Sequence, residues 1–213
     1  MIDKYYKISE TEDIIDRLLS AISEIDKALK HSKKVAAWGA YALTRVQREK
    51  RSKKNINIKK TIDAVVKELK PAFEASSIKI ETKGEFLVSR TYQMDIESIL
   101  INLLTNAYTA CNLKPGVRRV VITIDREDTR LEQGYFFSVS DTGPGIAKEF
   151  QKRIFEPLFS TKTVSTGTSK SVGTGLGLTI VKSIVDDLSG NIKVDQDPEL
   201  KGARFKIWLP KEK

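Results

Sequence analysis

The sequence predicts an α+β fold, a two-layer α/β sandwich with a helical segment ahead of it. Three observations carry this expectation. Residues 10–52 repeat apolar side chains at helical spacing, with no Pro and Gly39 as the one Gly. From Asn55 onward, short strand-like runs alternate with helical stretches. At 40% apolar and 31% charged residues, the chain is also rich enough in apolar side chains to build a core.

Each element has its own signal. Ser9 or Thr11, followed by acidic residues, marks a helix start. Ile14, Ile15, Leu18, Leu19, Ile22, Ile25 and Leu29 then form a stripe, continued by Val35, Ala36, Trp38, Ala42, Leu43 and Val46. This is one long helix or two helices hinged near His31 to Lys34. We expect residues 1–54 to be a helical dimerisation and linker segment pairing with a second copy, with packing inside one chain as the alternative. Residues 55–213 are expected to form the second unit. There Ile56 and Ile58 suggest a short strand, and residues 60–75 a helix despite Pro71. Ile78 to Thr82 alternate as a strand, and Tyr92 to Cys111 form an apolar helix. Val120 to Asp125 and Tyr135 to Ser140 read as neighbouring strands joined near Asp128 to Gly134. Thr179 to Leu188 is a helix, followed by strands at Asn191 to Asp195 and Ala203 to Leu209. Ser160 to Thr174 is polar, aperiodic and long, as lids are.

Composition narrows the setting. No apolar run approaches the roughly 20 residues that cross a bilayer. Met1 to Ser9 is too polar for a signal peptide. The single cysteine, Cys111, excludes an internal disulfide, so a cytoplasmic location is expected. The net charge of +9 is partly local, in Arg45, Arg48, Lys50, Arg51, Lys53, Lys54, Lys59 and Lys60. A solvated helix end and linker explains that cluster. A nucleic-acid patch is the lesser reading, because aromatics do not interleave the charges.

Four motifs carry the chemistry, and their order matters more than any one of them. Asn102 and Asn106, four residues apart, share a helix face. An amide oxygen there suits Mg²⁺ already largely satisfied by phosphates and water, although Asn pairs also serve as surface or capping residues. Asp141-Thr-Gly143-Pro-Gly145-Ile146 follows an apolar strand. Its glycines let backbone approach a ligand, and its carboxylate can accept a hydrogen bond from an exocyclic amine such as that of adenine; a simple tight turn is the alternative. Ile154 to Lys162 brings two aromatics, which would anchor a lid, then Thr161 and a Lys162 able to reach phosphate. Gly173-Thr174-Gly175-Leu176-Gly177-Leu178 runs straight into a helix, where backbone N–H groups and the helix dipole favour phosphate. Its spacing is neither that of a Walker loop nor that of a dinucleotide fingerprint.

Taken together, these motifs resemble the N, G1, F and G2 boxes of the ATPase superfamily that unites histidine kinases, type II topoisomerase ATPases, a class of heat-shock chaperones and mismatch-repair MutL proteins. The resemblance is to histidine-kinase catalytic domains above all, in particular the nitrogen-regulator-like subclass. It covers about Asn55 to Pro210. It implies the Bergerat-type ATP-binding sandwich, with ATP and Mg²⁺ as ligands. By the same resemblance Asn106 would hold Mg²⁺ and Asn102 would lie beside the phosphates. Asp141 would read adenine in a pocket shaped by Gly143, Gly145 and Ile146. Thr161 and Lys162 would hold the lid to phosphate, and Gly173, Thr174, Gly175, Leu176, Gly177 and Leu178 would wrap the triphosphate. Asn102 and Lys162 are the candidate catalytic pair.

Some positions depart from the family. The hydrolase branches place a water-activating Glu four residues before the metal Asn, where this chain has Asn102, an amide that cannot act as a general base. This favours phosphoryl transfer to a protein histidine in two-component signalling. The alternative is a stand-alone ATPase acting as a nucleotide-driven conformational switch. Thr109 stands where such kinases often carry Lys, and Gly202-Ala203 where the family closes on Gly-Thr. His31, the only histidine, lacks the acidic neighbour and nearby Pro of the family acceptor. An acidic response-regulator-like protein is the further expected partner.

Overall fold

The computed structural model describes residues 14–25, 28, 32, 52–85, 87–126, 134–157, 159 and 175–211. Residues 14–25 form helix α1. Its Ile14, Leu18, Ile22 and Ile25 are all more than half exposed, so its apolar stripe is uncovered in the single chain.

Downstream, helices lie against a five-stranded sheet. Strand β1 (Lys54–Asn57) leads directly into α2 (Ile58–Ala75). Asn57 caps α2 by accepting the Lys60 N–H at 3.1 Å. The expectation of a strand at Ile58 is therefore corrected. Ile58 is the first helical residue and is fully buried, because the Asn57 cap ends the strand one residue earlier. Pro71 is tolerated on the exposed side of α2. The helix closes with Ser77 at φ 55° and Ile78 N–H bonded to Phe73 O, which satisfies a terminal carbonyl and turns the chain into β2 (Lys79–Lys83).

Next come β3 (Val88–Thr91), α3 (Gln93–Leu113), β4 (Arg119–Arg126) and β5 (Gly134–Asp141). A 3-10 turn (Arg153–Phe155) precedes α4 (Gly177–Asp187), β6 (Asn191–Gln196) and β7 (Ala203–Pro210). The large sheet runs β2-β4-β5-β7-β6, with β2 parallel to β4 and every other pairing antiparallel. Strand β3, not foreseen from the sequence, pairs with β1 in a separate two-stranded sheet.

Period-2 alternation explains which face is covered. Val120, Ile122 and Ile124 of β4, Phe137 and Val139 of β5, and Phe205 and Ile207 of β7 all join the buried cluster. They meet Ile99, Leu100, Leu103 and Leu104 of α3, and Val181, Ile184 and Val185 of α4, in the same cluster. Each such side chain contributes about 1.5–3 kcal/mol by leaving water. The buried face of α3 is thereby held on the sheet, which fixes where its remaining face points. The structure is thus the mixed helix-and-sheet sandwich expected from the sequence.

Candidate functional site

The site is built along α3. Residues 102, 106 and 110 recur every four positions and so share one helix face. They span about 12 Å at 1.5 Å per residue. One end of this stripe meets the start of α4. Asn102 Nδ2 donates to Ser98 O at 2.8 Å, which leaves its Oδ1 toward Gly177. A Cβ on Gly177 would lie 2.8 Å from that oxygen, so the two helices approach this closely only because residue 177 is glycine.

At the other end the stripe meets the turn after β5. A Cβ on Gly143 would lie 2.7 Å from Ala110 Cβ. Asp141 ends β5 and is 3% exposed. Its Oδ1 accepts N–H bonds from Gly143 at 2.8 Å and Ala203 at 3.3 Å. Its Oδ2 makes no hydrogen bond among the described residues. Burial pushes the Asp141 carboxyl up to about 6, against the pull of its two N–H donors, and the negative Asp197 adds to the rise. Gly202 lies flat on this residue: a Cβ there would sit 2.0 Å from Asp141 O. The neighbouring Thr142 turns away, with its hydroxyl accepting the Arg119 N–H at 2.9 Å and lying 3.6 Å from Cys111 Sγ. Gly145 adopts φ 77°, and Ile146 packs against the core.

The start of α4 is finished differently. Gly175 has φ 69°, Leu176 is 2% exposed, and no side chain among the described residues caps the helix. Thr179 Oγ1 in the first turn is buried without a partner among the described residues. Leu178 packs on the core. A short way upstream, Phe150, Phe155 and Phe159 are half-buried against the core. The Phe150 and Phe159 rings lie 5.9 Å apart, and the Arg153 guanidinium sits 4.7 Å over Phe159. Both aromatics expected to anchor the lid, Phe155 and Phe159, are thus held.

The stripe and both glycine turns therefore come together, with Asn106 midway between the turns. Thr161, Lys162, Gly173 and Thr174 lie outside the described residues, as do His31 and the basic stretch from Arg45 to Arg51. Sequence reasoning missed Ala110, whose small side chain in phase with Asn102 and Asn106 was the available signal. It also missed Asp197 and the contact of Gly202 with Asp141, which link residues about 60 positions apart and leave no local pattern.

Comparison with known proteins agrees with this geometry. The family model described as histidine kinase-, DNA gyrase B-, and HSP90-like ATPase matches residues 91–213. Sporulation kinase A of Bacillus subtilis (strain 168) is 33% identical over 162 residues, covering 75% of this chain and 24% of the relative. Sensor histidine kinase ZraS of Salmonella typhi is 36% identical over 115 residues, covering 54% of this chain and 22% of the relative. The chain thus spans about a quarter of the length of these curated relatives. Among solved structures, the catalytic domain of histidine kinase ThkA superposes with a TM-score of 0.62 at 27% identity, covering 76% of this chain and 99% of that one. A full-length ShkA structure in complex with AMPPNP matches at 25% identity with a TM-score of 0.61, over 75% of this chain and 31% of that one. With its helices, sheet and glycine turns arranged in this way, the chain belongs to the histidine kinase-, DNA gyrase B- and HSP90-like ATPase family and carries an ATP-binding domain of the sensor-histidine-kinase kind.

Proposed function

We propose that this domain binds Mg-ATP along the α3 stripe and passes its γ-phosphate to a protein histidine in two-component signalling. The observation that carries the reading is the α3 face running from an uncapped helix start to a buried carboxylate. Its length of about 12 Å suits an adenine at one end and phosphates at the other. The residues fit such a ligand. Glycine backbone at Gly177 and Gly143 leaves room that a Cβ would fill. The Asp141 Oδ2 is left for a donor, and the first turn of α4 has N–H groups for phosphate.

In this reading Asp141 accepts the adenine amine, with Gly143, Gly145 and Ile146 shaping that end. Asn106 offers its amide oxygen to Mg²⁺, and Asn102 lies by the phosphates. Gly175 and Gly177 present backbone to the triphosphate, with Leu176 and Leu178 anchoring that turn in the core. Lys162, Thr161, Gly173 and Thr174 complete the lid side. Bound Mg²⁺ neutralises phosphate charge, and phosphoryl transfer needs little beyond positioning and such neutralisation. Asn102 offers no carboxylate to activate water, which supports transfer over hydrolysis.

Residues 1–54 form the dimerising and linking segment in this reading, supported by the uncovered stripe of α1. A response regulator is the expected acidic partner. No helix of the described residues is long and apolar enough to cross a membrane.

The test is incubation of this chain with Mg-ATP labelled at the γ-phosphate, with and without a histidine-bearing kinase partner. Acid-labile phosphate on either protein is expected. Its absence from both, with nucleotide bound, would replace the kinase reading with that of a nucleotide-driven switch.

A further inference from the structure

Asp141 does not hold its own backbone partners in place. Gly202 ends the turn between β6 and β7 and Ala203 begins β7, and that turn is organised by Asp197, which is 9% exposed. Asp197 Oδ1 accepts the Glu199 N–H at 2.9 Å and the Leu200 N–H at 2.8 Å. Its backbone N–H bonds Gly202 O at 3.0 Å, and its carbonyl accepts the Lys201 N–H at 2.9 Å. Lys201 is thereby held at φ 64°, a left-handed conformation that costs energy in a residue with a Cβ. Ser140, which immediately precedes Asp141 on β5, also lies close enough to Asp197 to favour its ionised carboxylate. One acidic side chain thus ties both the turn that covers Asp141 and the strand that carries it.

We propose that Asp197 is a positioning residue for the adenine end of the site, locking the 197–202 turn so that Gly202 and Ala203 hold the Asp141 carboxylate in its binding orientation. This rests on the reading of Asp141 as the adenine acceptor. The side chain acts on Asp141 in two separable ways. Its hydrogen bonds fix the geometry of the turn, and its negative charge opposes ionisation of Asp141. The other groups facing Asp141 come from α3 and its end: Cys111, a buried neutral thiol, and Lys114, whose charge favours the Asp141 carboxylate.

Two substitutions separate geometry from charge. Asp197→Asn keeps an acceptor oxygen for Glu199 and Leu200 but removes the charge. In the ligand-free protein, the Asp141 carboxyl ¹³C titration, assigned with Asp141→Asn, should then move to lower pH while the Ala203 amide signal stays near its wild-type position. Asp197→Ala removes both effects. The Ala203 and Gly202 amides should shift, and Mg-ADP affinity by calorimetry should fall about five- to tenfold, the loss of one hydrogen bond. Asp197→Asn should recover that affinity at neutral pH. A purely structural role would lower Tm in Asp197→Ala with no change in the Asp141 titration of Asp197→Asn. The proposal is overturned if that titration does not move, or if a folded Asp197→Ala leaves the Ala203 amide undisturbed. Should wild-type protein fail to bind Mg-ADP, the adenine reading falls, and the two ligand-free measurements still decide whether Asp197 braces Asp141.

Discussion

The turns at the two ends of the α3 stripe are finished to opposite degrees. At Asp141 the acceptor is buried, two N–H groups hold one of its oxygens, and Gly202 presses on its backbone. At the start of α4 no side chain caps the helix, and the Thr179 hydroxyl is buried without a partner among the described residues. The first turn is closed by its own contacts and, in the proposed function, would receive one group in one orientation. The second would offer the first-turn N–H groups of α4, which suit a ligand that brings its own charge. In the proposed function the closed turn would recognise the base and the other would face the reacting phosphate.

The contrast can be broken most severely at Gly202. A methyl group there would enter Asp141 O at 2.0 Å, and backbone cannot yield as a side-chain tip can. We expect Gly202→Ala to cost about 3 kcal/mol or more, read as a large fall in Tm, and to abolish nucleotide binding. Asp141→Asn follows, and it separates function from stability. Losing a charged hydrogen bond should weaken Mg-ADP binding about 10- to 100-fold by calorimetry. The same change removes a buried charge. Because the folded carboxyl sits at about 6, above its ordinary 3.8, its contribution to stability is fully present below 3.8 and is lost as pH rises through 6. The two units are worth about 3 kcal/mol. Ligand-free Asp141→Asn should therefore melt several degrees higher than wild type at neutral pH and match it near pH 4. For wild type, Mg-ADP affinity should fall as pH drops through 6, by about tenfold at pH 5.

The open turn should respond more mildly. Gly177→Ala pushes Asn102 Oδ1, an amide that can rotate away, so the fold should survive. We expect about tenfold weaker binding of Mg-ATPγS with adenosine binding unchanged, since the disturbance lies at the proposed phosphate end. Smallest is Asn57→Ala, at a helix start that is already closed. Loss of this cap should cost about 1 kcal/mol, seen as a modest drop in Tm, with nucleotide affinity unaffected.

Much of this was legible because it is local. A strand ending in Asp141 beside close glycines, and a glycine pair running into α4, are short-range signals. So are the amides one helical turn apart on α3. The helix start at Gly177, two residues earlier than expected, follows from the same glycines. Strand β3 was missed for a specific reason. Its buried side chains are the polar Ser89 and Thr91, while Val88 is exposed, so its hydrophobic alternation points the wrong way. Ile58 was misplaced because a β-branched residue beside Ile56 outweighed the cap signal of Asn57. The Asp197 turn could not be read at all, since its meaning depends on where β7 lands against β5.

Cys111 gives the closed turn a built-in clock. It is the only thiol in the chain and is 1% exposed. Burial also pushes its ionisation up, so the reactive thiolate is scarce while the fold is shut. Alkylation requires an opening that uncovers Cys111, whose sulfur lies against Arg119 O and the Thr142 hydroxyl. The labelling rate of unmodified wild-type protein is therefore expected to count openings around Cys111 and the turn after β5, and any slowing by a ligand to measure how firmly that ligand keeps them closed.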